Sequence, residues 1–216
     1  MRPFEALKYT VRYARTRHLA AIVRSGAEGA RDMTELRCQR GAQIARIAVS
    51  VGDVLGLGPR ELRDLRRMAL LHDIGKLGVS NLILDKPGKL TDEEWTQMRR
   101  HPERTVRILE RVSAFQYLAA TAGAHHERLD GRGYHLGLRD EHLSRDARIL
   151  AVADACEALP ADRAHRKAME PEQVRAIMRG DAGKAFCHDA LGALELGRVG
   201  PMIATPVLAA APRAAR

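Results

Sequence analysis

At 216 residues, 45% of them hydrophobic, the chain can bury one proper core, and its apolar runs fall short of the ~18 residues that a membrane-spanning helix needs. Only 4% of the residues are aromatic, which favours packed Ala, Leu, Ile and Val helices over sheets, so an all-α protein is expected. The net charge of +9, dominated by arginine, suits an anionic ligand or simply a solvated basic surface, and the 3 scattered cysteines Cys38, Cys156 and Cys187 exclude a disulfide framework or a zinc ribbon.

The N-terminal stretch MRPFEALKYTVRYARTR is basic and amphipathic but lacks the apolar centre of a secretory signal, and a cytoplasmic location is expected. Residues 4–28 form one predicted helix with Phe4, Leu7, Val11 and Ala14 on a stripe, suited to packing on its own domain or to docking on a membrane surface or partner. A second helix is predicted over 35–55 from the spacing of Ile44, Ile47 and Val51, and Gly56 to Gly58 ends it. Pro59 opens the next, which runs through Leu62, Leu65 and Ala69 to His72 and stops at Gly75 and Gly78. His72 and Asp73 then lie in its last turns, with Lys76 one turn beyond His72 on the same face. Two potential metal ligands and a phosphate-seeking ammonium suggest a metal-dependent phosphohydrolase; a buried His-Asp hydrogen-bonded pair is the plain alternative.

A connector with a turn at Asp85-Lys86-Pro87-Gly88 follows, then a capping box of Thr91 and Glu94 that starts a helix at Asp92. Pro102 restricts His101 to extended geometry and opens a further helix, so His101 sits at an inter-helix corner, as a presented ligand or an exposed histidine. Ser113 caps a predicted helix over 113–127 that delivers His125, His126 and Glu127. Adjacent helical residues point about 100° apart, so at most one of the two histidines faces the core. The run His-His-Glu favours metal binding. A glycine-punctuated loop over 129–137 comes next. Ser144 then caps an apolar helix in which Asp154 is surrounded by Ile149, Leu150, Val152 and Ala153, and a buried carboxylate there needs a cation, a metal or an arginine opposite it. The basic cluster Asp162 to Arg166, helices over 171–178 and 189–196, and a Pro/Ala-rich tail complete the chain.

His72, Asp73, His101, His125, His126 and Asp154 together offer the nitrogen and oxygen donors that suit Fe, Mn or Zn. Two metals held ~3.5–4 Å apart need a bridging carboxylate, and Asp73 is central in the set.

The ordered motifs HDIGKLG, KPGKLTDEEW, HHERLDGRGYHLGL, ARILAVADACEAL and DRAHR resemble the HD-GYP subgroup of the HD-domain phosphohydrolases, over residues 30–195. The resemblance implies a single HD-superfamily helical bundle over 30–197, with an N-terminal helical extension over 1–29 and a tail over 198–216. It implies a phosphodiesterase that uses two divalent metals to cleave cyclic di-GMP, to pGpG or GMP, by metal-hydroxide attack. His72, Asp73 and Asp154 would hold one metal, and Asp73, His101, His125 and His126 the other. Asp73 and Lys76 would be catalytic, Lys76 steadying the scissile phosphate. Arg163 and Arg166 would contact the substrate phosphates, with Gly133 and Tyr134 bordering the substrate.

Three departures stand out. The family's upstream histidine ligand falls on Arg40, or on Arg37 in a second register, and guanidinium cannot serve as a ligand. The glutamate of three-metal members falls on Leu36 or Met33, so no third metal is expected. The loop reads Gly133-Tyr134-His135 where the family has GYP, with His135 an exposed loop residue or a replacement ligand; His18 lies too far upstream to replace one. Two functions follow as expectations: an enzyme, of reduced activity if Arg40 weakens one site, or a degenerate module that acts as a cyclic di-GMP receptor or docks on a diguanylate cyclase. A homodimer stays open. Nucleic-acid binding has charge behind it but no reader motif.

Overall fold

The computed structural model describes residues 28–159 and 169–196, with side chains from residue 39 onward. The chain divides into two compact units, Met1–Gln39 and Arg40–Arg216. In the first, residues 28–39 are helical and open helix α1 (Glu28–Val54). Residues 4–27 of the helix predicted over 4–28, the cluster containing Arg163 and Arg166, and the tail lie outside the described residues, as do the side chains of Met33, Leu36 and Arg37.

In the second unit the described residues are helical and contain no strand, only the isolated bridges Asp130–Arg139 and Ala182–Phe186. No helix among the described residues is long and apolar enough to cross a membrane. Ile44, Ile47 and Val51 of α1 are buried at the predicted spacing. They share one core with Leu65, Met68 and Ala69 of α2 (Pro59–Leu71) and Ile149, Leu150, Val152 and Ala153 of α7 (Arg145–Ala158). Each fully buried Leu or Ile contributes about 1.5–3 kcal/mol, so this core is the main stabilising term for the end of α2 and the middle of α7 that carry the site.

Several local signals act as expected. Pro59 occupies the first turn of α2, where the Glu61 carboxylate accepts the Gly58 N–H at 2.7 Å. Thr91 and Glu94 form the capping box of α4 (Asp92–Met98), and the Ser144 hydroxyl accepts the Ala147 N–H at the start of α7. The last two helices are α8 (Pro171–Gly180) and α9 (His188–Leu196).

Elsewhere tertiary packing overrides local preference. Helix α2 ends at Leu71, with His72 as its C-cap, and Asp73 precedes a separate 3₁₀ turn, Ile74–Gly78. Gly75 does not end the α-helix. A Cβ on it would stand 1.9 Å from the His101 carbonyl oxygen and 2.6 Å from the Thr105 nitrogen, so only glycine lets the turn lie against α5 (His101–Leu109). The connector contains a one-turn helix α3 (Asn81–Leu84), capped by the Ser80 hydroxyl.

Helix α5 starts at His101 itself, with Pro102 in its first turn. His101 is therefore helical rather than extended: Pro102 has no N–H to satisfy there, and the His101 ring is tied to the Met98 carbonyl at 2.8 Å. It is buried, not an exposed corner residue. The predicted helix over 113–127 is broken into a 3₁₀ turn, Gln116–Leu118, and α6 (Ala119–Gly123), and Ser113 lies in a turn without capping it. The break lets both Phe115 and Leu118 pack on the core. His125 and His126 consequently sit in the turn just beyond α6.

Candidate metal centre

Four chain segments converge on one place: the α2 C-terminus with its 3₁₀ turn, the start of α5, the turn after α6, and the middle of α7. His72, His101 and His125 are all buried, and each ring is anchored in the same way. Their Nδ1 atoms lie 2.8 Å from the carbonyl oxygens of Ala69, Met98 and Ala122, three residues upstream in each case. A carbonyl only accepts, so each Nδ1 carries the proton and donates. The Nε2 atom of each ring then points the other way, into the site.

There they meet one another and Asp73. The Nε2 atoms of His101 and His125 face each other at 3.1 Å. Asp73 Oδ1 lies 3.3 Å from His101 Nε2 and 3.9 Å from His125 Nε2, and Asp73 Oδ2 lies 3.4 Å from His72 Nε2. Asp154 completes the ring, 3.8 Å from both His72 Nε2 and His126 Nδ1. Its neighbours are thus imidazoles and not the arginine of the plain alternative. The two histidines stand in a turn, where the helical 100° rule does not apply, yet they still divide, His125 fully buried and His126 with 26% of its side chain exposed.

Burial lowers the His126 pKa, reinforced by His101, to about 3; burial with His126 and His72 beside it pushes His125 well down as well. Both rings are therefore neutral near neutral pH. Burial also opposes charge on His72, but Asp73 and then Asp154 outweigh it and raise that ring to about 9. For Asp73, burial favours the protonated form, yet His72 and Lys76 hold it well below the usual carboxylate range. The site thus sets two carboxylates, Asp73 and Asp154, among imidazole nitrogens, with Lys76 paired to Asp73.

These donors fit a divalent cation on the structure's own terms. His72 Nε2 and Asp73 Oδ1 are buried with no hydrogen-bond partner, and lone pairs that face each other at 3.1 Å call for a Lewis acid between them. Two groups have their donor atoms within 4.8 Å of one another, His101 with His125 and His126, and His72 with Asp73 and His125. His125 belongs to both, which differs from the division of ligands expected from sequence.

Lys76 pairs with Asp73 at 2.6 Å, because side chains three residues apart nearly eclipse on a 3₁₀ turn. Gly133 and Tyr134 border the cluster. A Cβ on Gly133 would lie 2.4 Å from the Glu127 Cα, the Tyr134 N–H donates to the His126 carbonyl, and the two rings stack with centroids 4.8 Å apart. His135 is half-buried rather than an exposed loop residue, and it belongs to neither donor group. Glu127 is not a ligand candidate: its carboxylate accepts the N–H groups of Leu136 at 2.7 Å and Leu138 at 3.0 Å, clamping the glycine loop. Arg40 engages Glu157, not the histidines.

Three supporting residues escape a reading of motifs. Thr105, fully buried, accepts the Gly75 N–H at 3.0 Å and donates to the His72 carbonyl at 2.7 Å, locking the turn that aims Asp73. Glu127 and Glu157 are the others. The available signal was a carboxylate just before a loop rich in free N–H groups, and a second one, three residues after Asp154, in an apolar helix.

A family model described as "HD domain" matches residues 27–188, and the chain belongs to that family, in its HD-GYP branch. It is 49% identical over 131 residues to the 3'3'-cGAMP-specific phosphodiesterase 3 of Vibrio cholerae, covering 61% of this chain and 28% of that protein. It is 38% identical over 154 residues to the cyclic di-GMP phosphodiesterase response regulator RpfG of Xanthomonas campestris, covering 69% and 41%. The chain thus spans less than half the length of either relative. Its fold resembles Bd1817, an HDG"Y"P protein from Bdellovibrio bacteriovorus, with a TM-score of 0.61 at 19% identity, covering 88% of this chain and 60% of that one.

Proposed function

We propose that this chain is a metal-dependent phosphodiesterase of cyclic dinucleotides, acting on cyclic di-GMP or 3'3'-cGAMP, the molecules named for its relatives. The observation that carries this reading is the convergence of three carbonyl-anchored imidazoles on the Asp73 carboxylate, whose Oδ1 has no hydrogen-bond partner. His72, Asp73 and Asp154 with one ion, and Asp73, His101, His125 and His126 with a second, are the ligand sets this reading assigns. Bound divalent ions supply Lewis-acid charge to a phosphodiester and lower the pKa of water.

The chain's own residues do the rest. Asp73 stays ionised and central. Lys76, held beside it, offers an ammonium to the phosphate and the departing oxygen. Arg163 and Arg166 are assigned to the remaining phosphate charge, and the loop of Gly133 and Tyr134 to one wall of the substrate site. The test is metal content per chain with hydrolysis of both dinucleotides after loading with Mn or Fe. Two equivalents and turnover support an enzyme; dinucleotide binding without turnover overturns it.

One observation favours the second reading, a receptor or a module that docks on a diguanylate cyclase: Arg40, at the place of the upstream ligand, is raised in pKa by Glu157, Asp154 and Asp73 against the effect of burial, and so is a fixed cation beside the site. One metal equivalent or none per chain supports it.

A further inference from the structure

The described surface carries one preorganised cation that the chemistry above does not use. Trp95 on α4 and Arg99, the C-cap of that helix, are four residues apart and share a face. The Arg99 guanidinium carbon lies 5.8 Å from the centre of the Trp95 ring and 5.6 Å from the centre of the Tyr134 ring. Tyr134 in turn stacks on His126, at an interplanar angle of 34°. A row of planar groups therefore runs outward from the metal-site histidines: imidazole, phenol, guanidinium, indole.

Arg99 is exposed, and among the described residues no carboxylate or carbonyl accepts its N–H groups. Its guanidinium rests against two rings while its hydrogen-bonding fork meets no such acceptor among the described residues. Trp95 keeps 43% of its surface exposed. Exposed aromatic and guanidinium planes next to a phosphate-handling centre are what single nucleobases stack on. A guanidinium fork also matches the paired acceptors O6 and N7 on one edge of guanine; adenine presents an N–H donor where guanine has O6 and cannot accept both bonds.

We propose that Trp95, Arg99 and Tyr134 form a nucleobase shelf at the edge of the histidine cluster and select guanine in the ligand. This rests on the cyclic dinucleotide reading and sharpens it: with a phosphate at the cluster, the attached base reaches the shelf, so guanine-containing dinucleotides are taken and cyclic di-AMP is discriminated against.

Trp95 is the 1 tryptophan of the sequence, so tryptophan emission, excited selectively over that of the 4 tyrosines, reports on the shelf alone. The full chain, metal-loaded, is titrated with cyclic di-GMP, 3'3'-cGAMP and cyclic di-AMP by fluorescence and by calorimetry, alongside Arg99→Ala and Arg99→Lys. The expected result is quenching by both guanine-containing ligands with binding about tenfold tighter than that of cyclic di-AMP, and loss of most of that preference in both variants, since lysine keeps the charge but not the fork. Wild-type metal content and melting temperature in the variants verify that the fold is intact, as expected for an exposed side chain. Calorimetric binding without a fluorescence change, or a lysine variant with undiminished guanine preference, overturns the shelf. Hydrolysis that proceeds with no dependence on Arg99 also removes the shelf and leaves the phosphodiesterase. Arg99-dependent quenching without hydrolysis does the reverse, and binding of none of the three ligands removes both.

Discussion

Arg40 and Glu157 are joined by a bidentate ion pair across 117 residues of sequence, with Arg40 Nε 2.9 Å from Glu157 Oε1 and Nη2 2.9 Å from Oε2. The Glu157 side chain is 5% exposed. The pair ties α1 to α7 one turn from Asp154, and it occupies an arginine that would otherwise be free to reach Asp154 or Asp73. Arg40→His removes a positive charge and adds a nitrogen donor, so metal content per chain, measured by elemental analysis, should rise. The same substitution leaves Glu157 buried without its fork, and urea unfolding of the metal-free variant should register a loss of about 3 kcal/mol. Glu157→Gln should act oppositely on the metal and lower its occupancy, by releasing Arg40 toward the two aspartates.

Thr105 satisfies two buried backbone groups of the His72–Gly75 turn with one hydroxyl. Thr105→Val preserves shape but leaves the Gly75 N–H and the His72 carbonyl unpaired, at a cost of about 1–3 kcal/mol in urea unfolding. Metal affinity, read by competition with a chromophoric chelator, should weaken as well, since Asp73 loses the support that aims it.

Three inward imidazole nitrogens and the ionised Asp73 come together only in the folded chain, so an ion held there binds the folded state alone. Divalent metal at ~100 times its dissociation constant should stabilise the fold by about 2.7 kcal/mol, and a chelator should reverse the gain. In His125→Ala the metal-dependent rise in melting temperature should largely vanish, because His125 belongs to both donor groups.

The loop beside the site has its own pH signature. The Arg128 hydrogen bond, against the opposing effect of burial, holds Asp130 at about 2, and the Arg132 N–H assists. Its folded value is depressed, so its contribution to stability is complete above the ordinary carboxylate range and is lost as pH falls toward 2. The difference in urea midpoint between wild type and Asp130→Asn should therefore be constant from pH 5 to 7 and shrink between pH 4 and 2. A difference that grows on acidification would contradict this assignment.

Much of the site was legible from local chemistry. Pro59, Thr91 with Glu94, and Ser144 mark helix starts through contacts that span four residues or fewer, and such contacts survive in any fold that keeps the helix. The imidazoles and carboxylates at His72, Asp73, His101, His125, His126 and Asp154 were also recognisable as donors, because the residue types carry the chemistry. Local rules misplaced their backbone: His101 is helical and not extended, and the two histidines after α6 stand in a turn.

Tertiary structure alone decided how those donors meet. The carbonyls that fix each Nδ1 are local, but that His101 and His125 then present Nε2 to each other depends on how α5 and the turn after α6 pack, and that Asp73 joins them depends on Gly75, whose missing Cβ lets its turn lie against α5. The partner of Arg40 was equally out of reach, since an ion pair over 117 residues is written in no local pattern. Sequence determined which groups could bind a metal and a phosphate; the packing of α2, α5, α6 and α7 determined that Asp73 lies among them while Arg40 is held by Glu157, because lone pairs and charges act over a few ångströms of space and not along the chain.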